Sequence, residues 1–239
     1  MYGTRARIGV FVPSVNTVVE PEFNALVPEG VTIHSTRMFI THPTVETLRR
    51  MNQDIETAAE LIGTLSPTAV AFACTTGSLL EGVGYDTQLV QRIQKIVKVP
   101  TTTTVTAVIK AFQELGVKKV SVGTPYNEEL TQREKEFFEK SGVRVLKIKG
   151  LNFQGKEWLE EYLDRVKKLA HEVNQPEADA VFLSCTNLKT LPVIADLENE
   201  LGKPVLSSNV ATFWHTMRLI GMRENIKGRG RLLEKIARS

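Results

Sequence analysis

One alternation of short β-branched runs with helix-patterned segments fills the first half of this chain, and then the alternation starts again. The strand-like runs of the first series are RIGVFV (7–12), VTIHST (31–36), AVAFA (69–73) and VPTTT (99–103). Those of the second are KVSVGT (119–124), VRVLKIKG (143–150), AVFLS (180–184) and KPVLSS (203–208). Apolar residues recur at helical spacing over 45–65, 87–97 and 106–116 in the first series, and over 127–142, 155–174, 191–202 and 210–221 in the second. Strands separated by helices of this length pair in parallel. The pattern predicts an α/β fold of parallel sheets flanked by helices.

The two series can be laid on each other. Pro13 and Pro125, each after a first strand, lie 112 residues apart, and the two cysteines, Cys74 and Cys185, lie 111 apart. Pro100 and Pro204 open the fourth strands at a spacing of 104, and TAVIKAFQELG and VATFWHTMRLIG close on glycines 105 apart. Single matches arise by chance in any α/β chain, but four in one order predict duplication. The expectation is two similar lobes related by a pseudo-two-fold axis, with a cleft between them. At 239 residues and 42% hydrophobic, the chain can furnish both cores.

Composition excludes several classes of function. The net charge is +3 and the basic residues are scattered. The densest basic stretch, KGRGRLLEKIAR, lacks interleaved aromatics and reads as a solvated tail helix, so no nucleic-acid partner is expected. The apolar run after the N-terminal arginines extends only from Ile8 to Val12 before Pro13, too short for a signal-peptide core or a membrane span. A soluble cytoplasmic protein is expected, with both cysteines as free thiols. There is no GxGxxG or GxxxxGK[ST] motif, and His34, His42, His171 and His215 are dispersed. Neither cysteine has a second ligand at metal spacing. No cofactor and no metal are expected.

The cysteines occupy matched corners. Each follows the third strand of its series, and ligands of parallel sheets collect beyond the carboxyl ends of strands. Thr75, Thr76, Gly77 and Ser78 follow Cys74, while Thr186 and Asn187 follow Cys185. Backbone N–H groups and hydroxyls at such corners suit a carboxylate, and the same electropositive setting favours thiolate. Each corner can therefore supply a nucleophile or base beside an anion cradle. The alternative is that both cysteines are small core residues. At the first-strand corners, Ser14 and Asn16 are either substrate ligands or helix caps. Tyr126 is either a donor to a carboxylate or an aromatic of the lobe interface.

The segments VPSVNTVVEPEF, ACTTGS, GTPY, SCTNL and SSNVATFWHTMRLIG, which span most of the chain, resemble the aspartate/glutamate racemase superfamily. Within it they resemble the branch of maleate cis–trans isomerases and arylmalonate decarboxylases. Paired cysteines are common to the superfamily, whereas the first and fourth segments point to the isomerases. The resemblance implies site positions at Asn16, Cys74, Tyr126, Asn152 and Cys185, with Cys74 attacking and Cys185 passing a proton. It implies cofactor-independent conversion of maleate, a small dicarboxylate, to fumarate, and a homodimer. It also implies lobes of 1–104 plus 207–239 and of 105–206, the last segment crossing back. Arylmalonate decarboxylases keep only the second cysteine, so Cys74 argues against that activity. An amino-acid or hydantoin racemase uses the same thiol pair and stays open. So do an ectoine-utilisation homologue, a small-molecule sensor and an inert homologue.

Overall fold

The computed structural model describes residues 2–154 and 162–234. The first series folds as β1 (Ala6–Pro13), α1 (Val19–Asn24), β2 (Val31–Met38), α2 (Val45–Gln53), α3 (Ile55–Gly63), β3 (Ala69–Phe72), α4 (Thr75–Leu79), α5 (Tyr85–Val97), β4 (Thr101–Thr103) and α6 (Thr104–Leu115). The second folds as β5 (Lys119–Thr124), α7 (Glu128–Lys140), β6 (Arg144–Gly150), α8 (Leu163–Val173), β7 (Ala180–Leu183), α9 (Ile194–Leu201), β8 (Val205–Ser207), α10 (Ser208–Leu219) and α11 (Arg231–Glu234).

Two four-stranded sheets result, with orders β2-β1-β3-β4 and β6-β5-β7-β8, and every pairing is parallel. The second order is the first repeated four strands later, so both halves have one topology. The central strands β1, β3, β5 and β7 are buried along almost their whole length, whereas the edge strand β6 alternates with exposed positions. Continuous apolar runs such as AVAF and AVFL are what a strand covered on both faces requires.

Each fourth strand is only three residues long and runs straight into a helix. Thr103 caps α6 by accepting from Thr106 N–H, and Ser207 caps α10 by accepting from Val210 N–H. These two helices lie side by side between the sheets. Phe112 of α6 packs on Phe138 and Phe182 of the second half, while Phe213 of α10 packs on Phe23 of the first. Small hydroxylated residues let the two helices approach closely, and their polar groups are paired. Thr212 Oγ1 donates to Thr104 Oγ1 (3.1 Å), and Thr102 Oγ1 meets His215 Nδ1 (2.8 Å).

Two expectations need correction, and a third is tested only in part. The helix expected over 45–65 is two helices, broken at Asp54. Asp54 leaves helical backbone there (φ −89°, ψ 10°), and the nearby Asn52 carbonyl accepts from Arg92 Nη2 of another helix (3.0 Å). The tail at 231–234 is not simply solvated, because Leu232 and Leu233 are buried. The helix expected over 155–174 is seen from Leu163 to Val173, and positions 155–161 lie outside the described residues. Among the described residues, no helix is long and apolar enough to cross a membrane.

Candidate active site

The strand ends of β1, β3, β5 and β7 converge on one cavity of about 240 Å³. Cys74, Cys185, Tyr126, Asn16, Thr75, Thr76, Thr186 and Asn187 all line it. The space is smaller than the ~300–1,000 Å³ common for drug-sized ligands. Among the described residues, no lysine, arginine or carboxylate lines it, and N–H and O–H dipoles are what these residues offer an anion.

Cys74 lies two residues beyond β3, at the N-cap of α4, in relaxed extended backbone (φ −145°). Its sulfur accepts from Gly77 N–H at 3.3 Å. The approach depends on glycine, since a Cβ at position 77 would stand 2.9 Å from the sulfur. Burial pushes the Cys74 thiol up to about 11, against the lowering effect of Gly77 N–H and the Thr76 hydroxyl. Thr75 Oγ1 pairs with Ser208 Oγ at 2.9 Å, tying the corner to α10.

Cys185 lies two residues beyond β7 and enters a turn instead of a helix. Its φ is +108°, outside the usual range of an L-residue. The conformation is held from several sides. Cys185 N–H donates to Ser208 Oγ (3.0 Å), Ser184 N–H donates to the Gly123 carbonyl (2.8 Å), and Asn187 N–H donates to the Cys185 sulfur (3.3 Å). The Tyr126 hydroxyl lines the cavity with this sulfur, close enough to act on it. Burial nevertheless pushes the thiol up to about 12, with Tyr126 and Asn187 N–H opposing. Burial likewise holds the Tyr126 phenol well above its ordinary range, with the nearby Cys185 adding to the effect.

The remaining expected residues divide. Asn16 is both cap and cavity wall. Its Oδ1 accepts from Val18 and Val19 N–H at the start of α1, while Nδ2 donates to Thr186 Oγ1 at 3.2 Å. Thr186 Oγ1 in turn donates to the Ala73 carbonyl, so three loops meet at one hydroxyl. Asn187 is fixed by Thr17 N–H on its Oδ1 (2.9 Å) and by the Tyr162 hydroxyl on its carbonyl (2.9 Å). Ser14 and Asn152 are placed outside the cavity. The Ser14 hydroxyl is consumed by both backbone groups of Ile40. Asn152 takes a left-handed turn (φ 52°), and its N–H donates to the Tyr126 carbonyl.

Sequence reasoning did not include the opposite wall, where Ile40, Thr41, His42, Pro43 and Leu48 cover the cavity from the end of β2 and from α2. Nor did it single out Ser208, which touches both cysteine corners, although SSN directly after a short strand is a capping signature. Glu22 was also missed. Its Oε1 accepts from Thr190 and Leu191 N–H, and its Oε2 accepts from Asn209 Nδ2, so α1 clamps the loop that follows Cys185.

Comparison with known proteins agrees with this geometry. The arylmalonate decarboxylase family model matches residues 8–233. The maleate isomerase of Alcaligenes faecalis is 31% identical over 96% of this chain and 97% of its own. That of Geobacillus stearothermophilus is 28% identical over 95% and 96%. Among solved structures, a cysteine-to-alanine variant of the maleate isomerase Iso of Pseudomonas putida S16, crystallised with maleate, superposes with a TM-score of 0.91 at 26% identity. The match covers 96% of this chain and 97% of that one. The two-lobed fold, the cavity with its two thiols and the family match over nearly the full length give one conclusion: the chain belongs to the arylmalonate decarboxylase family, with maleate isomerases among its relatives.

Proposed function

We propose that the chain isomerises maleate to fumarate without a cofactor, through a covalent adduct on Cys74. The observation that carries this reading is that both cysteines of the chain face one small cavity whose other polar groups are hydrogen-bond donors and hydroxyls. Rotation about a carbon–carbon double bond is thermally closed, so the bond must first become single. Cys74 first loses its thiol proton to solvent, and the thiolate so formed adds to one alkene carbon. A carbon–sulfur bond forms, the π bond breaks, and its electron pair moves into the carboxylate of the neighbouring carbon. Cys185 then gives its thiol proton to that carbon, leaving a succinyl group on Cys74 and a thiolate at Cys185. After rotation, Cys185 takes the proton back, the electron pair re-forms the double bond in the trans arrangement, and the Cys74 thiolate leaves.

The assignment of roles follows from the two corners. Cys74 is in relaxed backbone, and although burial favours its thiol, Gly77 N–H on the sulfur and the nearby Thr76 hydroxyl oppose that effect and stabilise the thiolate once it forms. Cys185 carries the Tyr126 hydroxyl, a donor able to stabilise the thiolate left after proton transfer. Asn16, Thr75, Thr76, Thr186 and Asn187 are assigned to the substrate carboxylates. Ser14 and Asn152 act from outside the cavity, by fixing the loop at Ile40 and the backbone at Tyr126.

The lobes are taken as 1–104 with 207–239, and 105–206. The packing of α6 into the second core and of α10 onto α1 supports this division. A homodimer and a cytoplasmic setting complete the reading, the latter supported by two unpaired thiols. Maleate mixed with the protein and no cofactor should give fumarate, followed by proton NMR. Unchanged maleate, with intact thiols and folded protein, would remove the proposal.

A further inference from the structure

A buried glutamate with no role in the scheme above lies behind Cys185. Glu134 of α7 is fully buried, and its Oε1 accepts from the Ser184 hydroxyl, one residue before Cys185. Its Oε2 is buried without a hydrogen-bond partner. Among the described residues, no cation pairs with it. Arg133, the next residue on the same helix, reaches instead for Glu129 and the Leu80 carbonyl. From β6, which packs against α7, Lys147 and Lys149 are both held on Glu172. From α4, also against α7, no charged residue is contributed. The titratable groups near enough to be influenced by Glu134 are the Cys185 thiol and the Tyr126 phenol.

Glu134 has a counterpart. It lies 112 residues after Glu22, the spacing that separates Pro13 from Pro125. By repetition, the two glutamates should serve one corner each. Both serve the Cys185 corner instead, Glu134 from beneath through Ser184 and Glu22 from across the lobes through Thr190 and Leu191.

We propose that Glu134 is the positioning residue of Cys185, acting as an uncharged carboxylic acid that holds Ser184, and with it the left-handed turn at Cys185, without setting a negative charge against the thiolate that Cys185 becomes. The inference rests on the proton-passing role given to Cys185 above. A carboxylate in this place would be an uncompensated buried charge, which neutralises by taking a proton. Burial, against the single Ser184 bond, pushes its carboxyl up to about 8, in keeping with that state. Once ionised, Glu134 raises the proton affinity of both Cys185 and Tyr126. Ionisation above that pH therefore hinders the thiolate of Cys185 and places a descending limb on turnover.

Two sets of measurements test this. In turnover of maleate, Glu134→Ala and Ser184→Ala should each lower kcat at least tenfold with KM changed less than twofold. The double variant should fall no further, since both act through one bond. Glu134→Gln, which keeps an acceptor for Ser184 and never ionises, should rescue most of the alanine loss at pH 7 and abolish the descending limb. The second set needs no turnover. In a Cys74→Ser background, alkylation of Cys185 by iodoacetamide is followed by intact mass from pH 6 to 10. Adding Glu134→Gln should make alkylation at pH 9 at least threefold faster. A Glu134→Gln variant as slow in turnover as Glu134→Ala, or one whose alkylation profile matches its parent, would overturn the proposal. If Glu134→Ala does not fold, the Gln variant and Ser184→Ala still decide it. If the unsubstituted chain leaves maleate unchanged, the isomerase reading fails while the alkylation result still judges Glu134.

Discussion

The two cysteine corners descend from the same place in a repeated unit, yet they are built differently. Cys74 opens a short helix in relaxed backbone, and its donors come from the next three residues, Thr76 and Gly77. Cys185 enters a turn at φ +108°, and beside the local Asn187 N–H on its sulfur it is restrained by distant segments: Ser208, Tyr126, and Glu134 through Ser184. A nucleophile needs accessible charge stabilisation, which local N–H and O–H groups supply. A group that gives and retakes a proton at one fixed carbon needs its position enforced, and enforcement of a strained backbone takes many contacts. The repeat thus supplies two equal corners, and the surrounding structure makes them unequal.

The strongest test of that inequality is to exchange each sulfur for oxygen. Cys74→Ser should lower turnover by ~10³-fold or more, with no covalent intermediate, because a hydroxyl ionises far above a thiol. Cys185→Ser should lose ~10²–10⁴-fold, the range of general acid–base catalysis, while still forming the adduct. Intact mass spectrometry after mixing with maleate should show one added substrate on Cys185→Ser and none on Cys74→Ser. The reverse pattern would exchange the roles.

Stability against pH comes next. Glu134 keeps its proton in the folded protein to about pH 8, whereas in the unfolded chain it ionises near the ordinary 4.5. Between those values the folded state binds more protons, so stability falls as pH rises, by up to ~1.4 kcal/mol per unit for this one group. Glu134→Gln should flatten that slope and gain stability at pH 7 in urea titrations. An unchanged slope would mean that Glu134 is already ionised in the fold.

Ser208→Ala should cost ~1–3 kcal/mol, because it leaves Cys185 N–H buried without an acceptor and unpairs Thr75. Its effect should fall on both corners, lowering kcat for adduct formation and for breakdown alike in stopped-flow measurements. The smallest effect is expected from glycine substitution. Cys185→Gly relieves ~1–3 kcal/mol of backbone strain while losing a small buried side chain. Cys74→Gly loses the side chain with no strain to relieve. The melting temperature should therefore drop further for Cys74→Gly, and equal drops would argue that the Cys185 turn stores no strain.

The repeated unit and the place of its reactive groups are legible in the amino-acid pattern alone. Central strands buried on both faces need unbroken apolar runs. AVAF and AVFL therefore announced both strands and, directly after them, both thiols. Asn16 and Tyr126 were legible for the same reason, as residues just past a strand end. How each group is used depends on the folded arrangement. The Ser14 hydroxyl looks free in the sequence but is spent on Ile40, more than twenty residues away. The helix expected over 45–65 breaks at Asp54, beside an Asn52 carbonyl that accepts from Arg92 on another helix. Glu134 reads as one more charged residue in EELTQREKEFFEK, indistinguishable from its exposed neighbours until α7 turns it into the core behind Ser184. Local pattern reports what the chain's own neighbours dictate through period and burial. The protonation of a carboxyl and the strain at a cysteine depend on partners brought from far along the chain, which only folding assembles.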